Sequence, residues 1–283
     1  MKIDSHQHYW YFNLHDYGWM GENMKAIKRD FLPSDLLPEL ESINFDGSVA
    51  VQARQNIEET NWLLKLADDY PHIKGVVGWL NLQSEAVESD IQEFAAHPKA
   101  VGVRHVIHDE EDDDFMLRPE FIRGVKLLEK YNLTYDILIF PKHLQNTIKF
   151  VREISENQTF IIDHIAKPFI KDGILTPWKD EMTELAKFPN VYCKLSGMVT
   201  EADWQNWKPE HLKPYLDVVF EAFGTDRVMI GSDWPVCLVA GKYQRVMNVV
   251  EDYISNFSET DKVKILGENA VKAYRIINAN PSI

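Results

Sequence analysis

Residues 2–8 read KIDSHQH, a strand-like start that ends in two histidines one residue apart. A doubly wound open sheet usually follows its first strand with a glycine-rich phosphate turn. Here that place holds His6-Gln7-His8. Side chains alternate along a strand, so His6 and His8 share a face. In a closed barrel both can point into the mouth, where barrel active sites lie.

Seven further runs of the same kind follow: GSVAVQAR (47–54), IKGVVGWLNL (73–82), AVGVRHVI (100–107), LTYDILIF (133–140), TFIIDHI (159–165), VYCKLSG (191–197) and RVMIGSD (227–233). Most gaps between them carry apolar residues at three- and four-residue spacings, as in 58–71, 84–98, 119–132, 142–157 and 209–224. Two more helices are expected over 242–257 and about 262–276. Eight strands alternating with helices predict a single (β/α)8 TIM-barrel domain over residues 1–283.

The chain of 283 residues, 45% hydrophobic and 26% charged, is long enough to bury a sizeable core. A net charge of -14 argues against nucleic acid and anionic membranes as partners. Cys193 and Cys237 fit no metal-knuckle or redox spacing. The N-terminus shows no basic, then apolar, leader pattern, and no apolar run is long enough to span a bilayer. A cytoplasmic protein acting on a small molecule is the expectation.

A barrel directs attention to the strand ends. His6 and His8 suit two metal ligands or two hydrogen-bond donors to one substrate; the plain alternative is two surface histidines. Strand 6 stops abruptly at Asp163-His164 after the apolar Phe160-Ile161-Ile162. Strand 8 ends in Gly231-Ser232-Asp233, a carboxylate fit to be a general base or a metal ligand, or else a loop or capping residue. Gln52, Arg54, Trp79, Asn81, Arg104, His105, His108, Lys194 and Ser196 are further strand-end groups, and Asp136 lies within strand 5. Among them Arg54 and Arg104 offer planar forks for polar ligands, and Trp10, Trp79 and Trp234 offer apolar walls. The run DEEDDD (109–114) lacks the glycine-containing spacing of a calcium loop and reads as a solvated loop.

IDSHQHYW, the GVR of strand 4, DHIAKP, CKLSG and GSDWPV, in that order along nearly the whole chain, resemble the amidohydrolase superfamily. Within it they are similar to the "amidohydrolase 2" group, which includes sugar-acid lactonases of the L-fucono- and L-rhamnonolactonase type and 2-pyrone-4,6-dicarboxylate lactonases. The resemblance implies catalytic roles for His6, His8, His164 and Asp233, with Asp233 activating water and histidines polarising a lactone carbonyl. Beside it, the strand-end reading expects substrate contacts from Gln52, Arg54, Arg104, Trp10, Trp79 and Trp234. Members that hold metal tightly usually add a strand-5 histidine or carboxylated lysine. Lys142 and His143 lie beyond strand 5, and Asp136 lies too deep. No required cofactor is therefore the first expectation. A divalent ion such as zinc on His6, His8 and Asp233 is the alternative, in a metal-dependent hydrolase or decarboxylase. A ligand-binding barrel without chemistry is a third reading, opposed by the complete His6, His8, His164 and Asp233 set.

The missing strand-5 ligand predicts that chelation followed by desalting leaves lactone hydrolysis largely unchanged. Loss of activity that returns with stoichiometric zinc would replace this expectation with the metal-dependent one.

Overall fold

In a computed structural model, which describes residues 1–277, the eight runs form eight strands, all parallel and ordered sequentially. They are β1 (Ile3–Gln7), β2 (Gly47–Val51), β3 (Ile73–Gly78), β4 (Ala100–Val106), β5 (Thr134–Leu138), β6 (Phe160–Ile162), β7 (Val191–Leu195) and β8 (Val228–Ile230). Each is shorter than its run in the sequence. The residues left over at the C-terminal ends form the loops of the mouth.

The helices are α1 (Pro33–Ser42), α2 (Ile57–Asp69), α3 (Val87–Ala95), α4 (Pro119–Leu128), α5 (Leu144–Glu153), α6 (Trp178–Leu185), α7 (Pro209–Phe223) and α8 (Tyr243–Tyr253). A last segment holds α9 (Glu259–Val263) and α10 (Asn269–Ala273), joined by a wide turn at Lys264–Glu268. The helical pattern missed α1 and α6. Pro38 interrupts α1 although Leu36 and Leu40 are buried, and α6 is one short amphipathic stretch anchored by Trp178, Met182 and Leu185. No helix among the described residues is long and apolar enough to cross a membrane.

Barrel closure rests on β1 and β8. Asp233 N–H donates to His6 O at 2.8 Å, and His8 N–H donates to Trp234 O at 2.7 Å. Asp4 staples the same seam from inside, accepting from Ser232 N–H at 2.9 Å, Ser232 Oγ at 2.6 Å and Tyr243 OH at 3.1 Å. Gly231 permits the close approach: a Cβ there would stand 2.9 Å from His6 Cβ. An apolar cluster of Val49, Val51, Val77, Ile161 and Met229 packs with Tyr274 and Ala270 from the C-terminal segment. Tyr274 then reaches in to donate to Asp136 Oδ2 at 2.5 Å.

Glu59 organises the loop after β2. Asn56 caps α2 by accepting from Glu59 N–H at 2.8 Å. The Glu59 carboxylate in turn accepts from Ala53 N–H at 2.8 Å and Arg54 N–H at 2.7 Å. Burial nevertheless pushes this carboxyl up to about 7, against the pull of those two backbone bonds. The folded state therefore binds a proton that the unfolded chain releases near pH 4.5, and stability falls as pH rises from there through about 7. Glu59→Gln keeps the acceptor oxygen and removes the charge. Relative to the native chain it is expected to gain stability between pH 5 and pH 8, by at most about 3 kcal/mol. Denaturant midpoints of the two proteins at both pH values check this; a constant difference would refute it.

Candidate functional site

The barrel floor is a chain of buried charges. Lys194 Nζ stands 2.6 Å from Asp136 Oδ2 and 2.9 Å from Asp163 Oδ1. Arg104 Nη1 lies 2.9 Å from Asp163 Oδ2, and Arg104 Nη2 donates to the Gln52 carbonyl. His6 rests on this layer, with Nδ1 3.2 Å from Lys194 Nζ and 3.3 Å from Asp163 Oδ1. Burial opposes ionisation of Asp163, but Lys194, His6 and Arg104 hold its carboxyl well below the usual range. Burial also pushes the His6 imidazole well below its ordinary value.

Above the floor, Asp233 Oδ1 lies 3.3 Å from His8 Nε2, 3.9 Å from His6 Nε2 and 4.0 Å from His164 Nε2. His8 Nδ1–H donates to Val51 O at 2.8 Å, which turns Nε2 toward the site. His164 Nδ1 is 2.9 Å from Ser196 Oγ. Burial pushes the His164 imidazole well below its usual value, partly offset by Asp233. Burial works against ionising Asp233, yet His164 and His8 outweigh it and keep the carboxyl below the ordinary range.

Two positions in this group have unusual backbone. Asp233 has φ +58°, and His164 opens a turn whose residues 164–167 are all left-handed. For residues other than glycine this costs roughly 1–2 kcal/mol each.

The mouth is a cavity of about 310 Å³ lined by His8, Trp10, Arg104, His164 and Asp233 from the sequence-based set. Loop residues complete it: Trp19 and Met24 after β1, His108 and Asp109 after β4, Lys167 after β6, and Glu201 and Trp204 after β7. The sequence reading passed over most of these. The available signal was position, since TEADW (200–204) lies just past β7, where barrel loops build the mouth.

The remaining expected contacts lie elsewhere. Arg54 pairs with Asp16 and faces Glu59, tying the β1 and β2 loops together. Gln52 lies under Arg104, its amide donating to Arg104 O at 3.4 Å. Trp79 lines a separate groove with Ile57, Asn61 and Phe94. Trp234 is buried edge-on against Phe31, with ring centroids 5.1 Å apart. The acidic run is not simply solvated. Glu110 bonds His105 at 2.6 Å, Asp112 bonds Arg118 at 2.8 Å, Asp113 bonds Lys142 at 2.5 Å, and Asp109 lines the cavity.

A metal ion fits one donor set. The Nε2 atoms of His6 and His8 lie 3.2 Å apart, and Asp233 Oδ1 is 3.3 Å from the second but 3.9 Å from the first, which also has Arg104 Nη1 at 3.3 Å. Zinc with nitrogen ligands at 2.0–2.1 Å implies tetrahedral edges of about 3.3 Å. The tautomer that His8 Nδ1–H sets by bonding Val51 is the one a ligand needs. A second donor set, His6, Asp163 and His164, shares His6, and its carboxylate is already taken up by Lys194 and Arg104.

A family model described as Amidohydrolase matches residues 3–276. An L-fucono-1,5-lactonase of Burkholderia multivorans is 37% identical over 98% of this chain and 96% of its own length. An L-rhamnono-gamma-lactonase of Scheffersomyces stipitis is 28% identical over 62% of this chain and 59% of its own. A crystal structure of a Burkholderia multivorans amidohydrolase with bound zinc superimposes with TM-score 0.94 at 37% identity, covering 98% of this chain and 100% of that one.

Gly197 has φ +62°, and a Cβ there would stand 2.5 Å from His164 Nδ1. Gly197→Ala is therefore expected to displace the imidazole from Ser196. Lactone turnover should fall at least tenfold, with a stability loss of about 1–2 kcal/mol from the left-handed alanine. Turnover and melting of the variant measure both; native turnover would show that the ring's place does not matter.

Proposed function

Because the chain belongs to the amidohydrolase family, we propose that it opens a sugar-acid lactone, of the L-fucono-1,5-lactone kind, to its hydroxy acid. The observation that carries this reading is the convergence of one ionised carboxylate, Asp233, with the imidazoles of His8 and His164 on the wall of a small cavity, with His6 buried just beneath them. The lactonase relative at 37% identity supports the substrate class.

The chemistry follows from the hydrogen bonds. A water between Asp233 and the lactone carbonyl gives its proton to Oδ1 as its oxygen attacks the carbonyl carbon. Ser196 Oγ–H donating to His164 Nδ1 leaves Nε2–H of that ring to donate to the carbonyl oxygen. The same donor steadies the oxyanion of the tetrahedral intermediate, and a donor of this kind is typically worth about 2.7–4 kcal/mol. Collapse breaks the bond between the carbonyl carbon and the ring oxygen. The proton held by Asp233 passes to that oxygen, which leaves as the new hydroxyl. A divalent ion held by His6, His8 and Asp233 would polarise the carbonyl and acidify water. Its donor geometry is what keeps a metal-assisted version of this hydrolysis as the second reading.

The cavity's charges favour a sugar-acid lactone over a pyrone dicarboxylate. Arg104 is paired with Asp163, and Lys167 with Glu201 at 2.9 Å, so neither cation is left over for a second carboxylate. Trp10, Trp19 and Trp204 give apolar faces for the less polar side of a sugar ring.

A pH-indicator assay of the purified protein against a panel of aldonolactones, corrected for spontaneous opening, tests the reading. Turnover of a 1,5-lactone of the L-fucono series is expected. Asp233→Asn should retain the fold and lose about 10²–10⁴-fold in rate. The native rate should hold as pH falls and be lost only below the ordinary carboxylate range, as Asp233 protonates. No turnover of any lactone, or near-native turnover by Asp233→Asn, would overturn the proposal.

A further inference from the structure

The left-handed turn after β6 places two cavity groups at once. His164 stands at its first position and Lys167 at its last, with φ values of 53°, 48°, 59° and 50° across residues 164–167. None of the four is glycine, the residue that tolerates this region. Left to local preference, Ile165 and Ala166 would return to the right-handed side. Something outside the turn must hold it.

Several of its bonds come from the cavity residues themselves. Lys167 N–H donates to His164 O at 2.8 Å, His164 Nδ1 meets Ser196 Oγ at 2.9 Å, and Lys167 Nζ reaches Glu201 at 2.9 Å. One bond comes from elsewhere. Trp178, buried on α6, donates from Nε1–H to Ile165 O at 2.8 Å. The indole is itself backed by Tyr215 on α7, with ring centroids 5.4 Å apart. The Tyr215 hydroxyl shares its one hydrogen between Phe169 O and Ile174 O, each at 3.2 Å, in the segment that follows the turn. Trp178 does not line the cavity.

We propose that Trp178 is a positioning residue for lactone hydrolysis: its indole N–H pins the Ile165 carbonyl, locks residues 164–167 left-handed, and so sets His164 and Lys167 in the mouth. This inference rests on the hydrolysis proposed above. Loss of the pin frees the Ile165–Ala166 peptide to rotate and carries His164 off Ser196. A displacement of about 1 Å at a reacting group can cost on the order of a hundredfold in rate.

The test is a double-mutant cycle of Trp178→Phe and Ala166→Gly. Phenylalanine keeps a ring on α6 and removes the donor. Glycine at 166 removes the penalty on left-handed backbone, so the turn depends less on the pin. Trp178→Phe is expected to lose at least tenfold in kcat with KM within about threefold of native. Ala166→Gly alone should stay within about twofold of native kcat. The double variant should recover at least threefold of what Trp178→Phe lost. Native kcat in Trp178→Phe, a loss carried by KM alone, or no recovery in the double variant would each overturn the proposal. If Trp178→Phe does not fold, Ala166→Gly must restore folding, and failure to do so also overturns it. Hydrogen exchange at the Lys167 amide reads the same turn without activity. Exchange should quicken in Trp178→Phe and slow again in the double variant; unchanged protection refutes the pin. A native chain that opens no lactone would sink the functional reading instead, leaving the exchange arms to judge the turn.

Discussion

The ammonium of Lys194, closed off from water between Asp136 and Asp163, is the contact on which the rest of the site stands. With Arg104 it balances two buried carboxylates, so the floor of the barrel is neutral although every member is charged. Such a set stabilises the fold only while complete. Removing one partner of a buried pair typically costs about 3–5 kcal/mol, because the other is left as a bare charge. Burial raises the Asp136 carboxyl above its ordinary range, with Asp163 adding to the rise, and Lys194 and the Tyr274 hydroxyl offset this only in part. The C-terminal segment is thereby tied to the floor of the candidate site through the Asp136 carboxylate. His6 lies directly on this layer, so the first strand's histidine takes its orientation from strands 4, 6 and 7.

That dependence explains what the sequence disclosed and what it did not. Short β-branched runs that stop at polar residues marked all eight strands, because a barrel strand is buried on both faces until it reaches the mouth. His6, His8, His164 and Asp233 were visible for the same reason. Lys194 and Asp163 were visible as strand-end residues, but their partnership needs the closed ring to bring β5, β6 and β7 side by side. Loop geometry was the illegible part. Arg54, Trp79 and Trp234 sit within a few residues of the mouth in sequence, yet their loops turn them toward Asp16, the α2 side and Phe31. Trp19, Lys167 and Glu201 come from farther along and reach the cavity. The position of α1 was hidden by Pro38, a residue that breaks the helical pattern in sequence without abolishing the helix.

Local preference fails most sharply where the chemistry is densest. Both Asp233 and His164 have left-handed backbone, a region uncommon for any residue but glycine even though Asp and His enter it more readily than most. The surrounding structure over-determines each. Asp233 N–H is bonded to His6 O, and Ser232 is stapled to Asp4. His164 is bounded by Ser196 on one side and by the vacancy that Gly197 leaves on the other. Strain held in this way fixes side chains that would otherwise sample several directions, and it concentrates at sites that must be preorganised.

The same electrostatics bear on what happens after the ring opens. In the hydrolysis proposed for this cavity a lactone enters as a neutral molecule and leaves as a carboxylate. Within the cavity the new anion finds Arg104 and Lys167 already engaged by Asp163 and Glu201, and it faces Asp109, Glu201 and the ionised Asp233. Around it lies a protein with a net charge of -14. Like charges disfavour retention of the product, while the uncharged substrate is held by shape, apolar walls and hydrogen bonds that do not depend on net charge. On that proposal, pairing Arg104 and Lys167 with protein carboxylates would select a neutral ligand on the way in and weaken the hold on an anionic one on the way out, and the two effects would come from the same ion pairs.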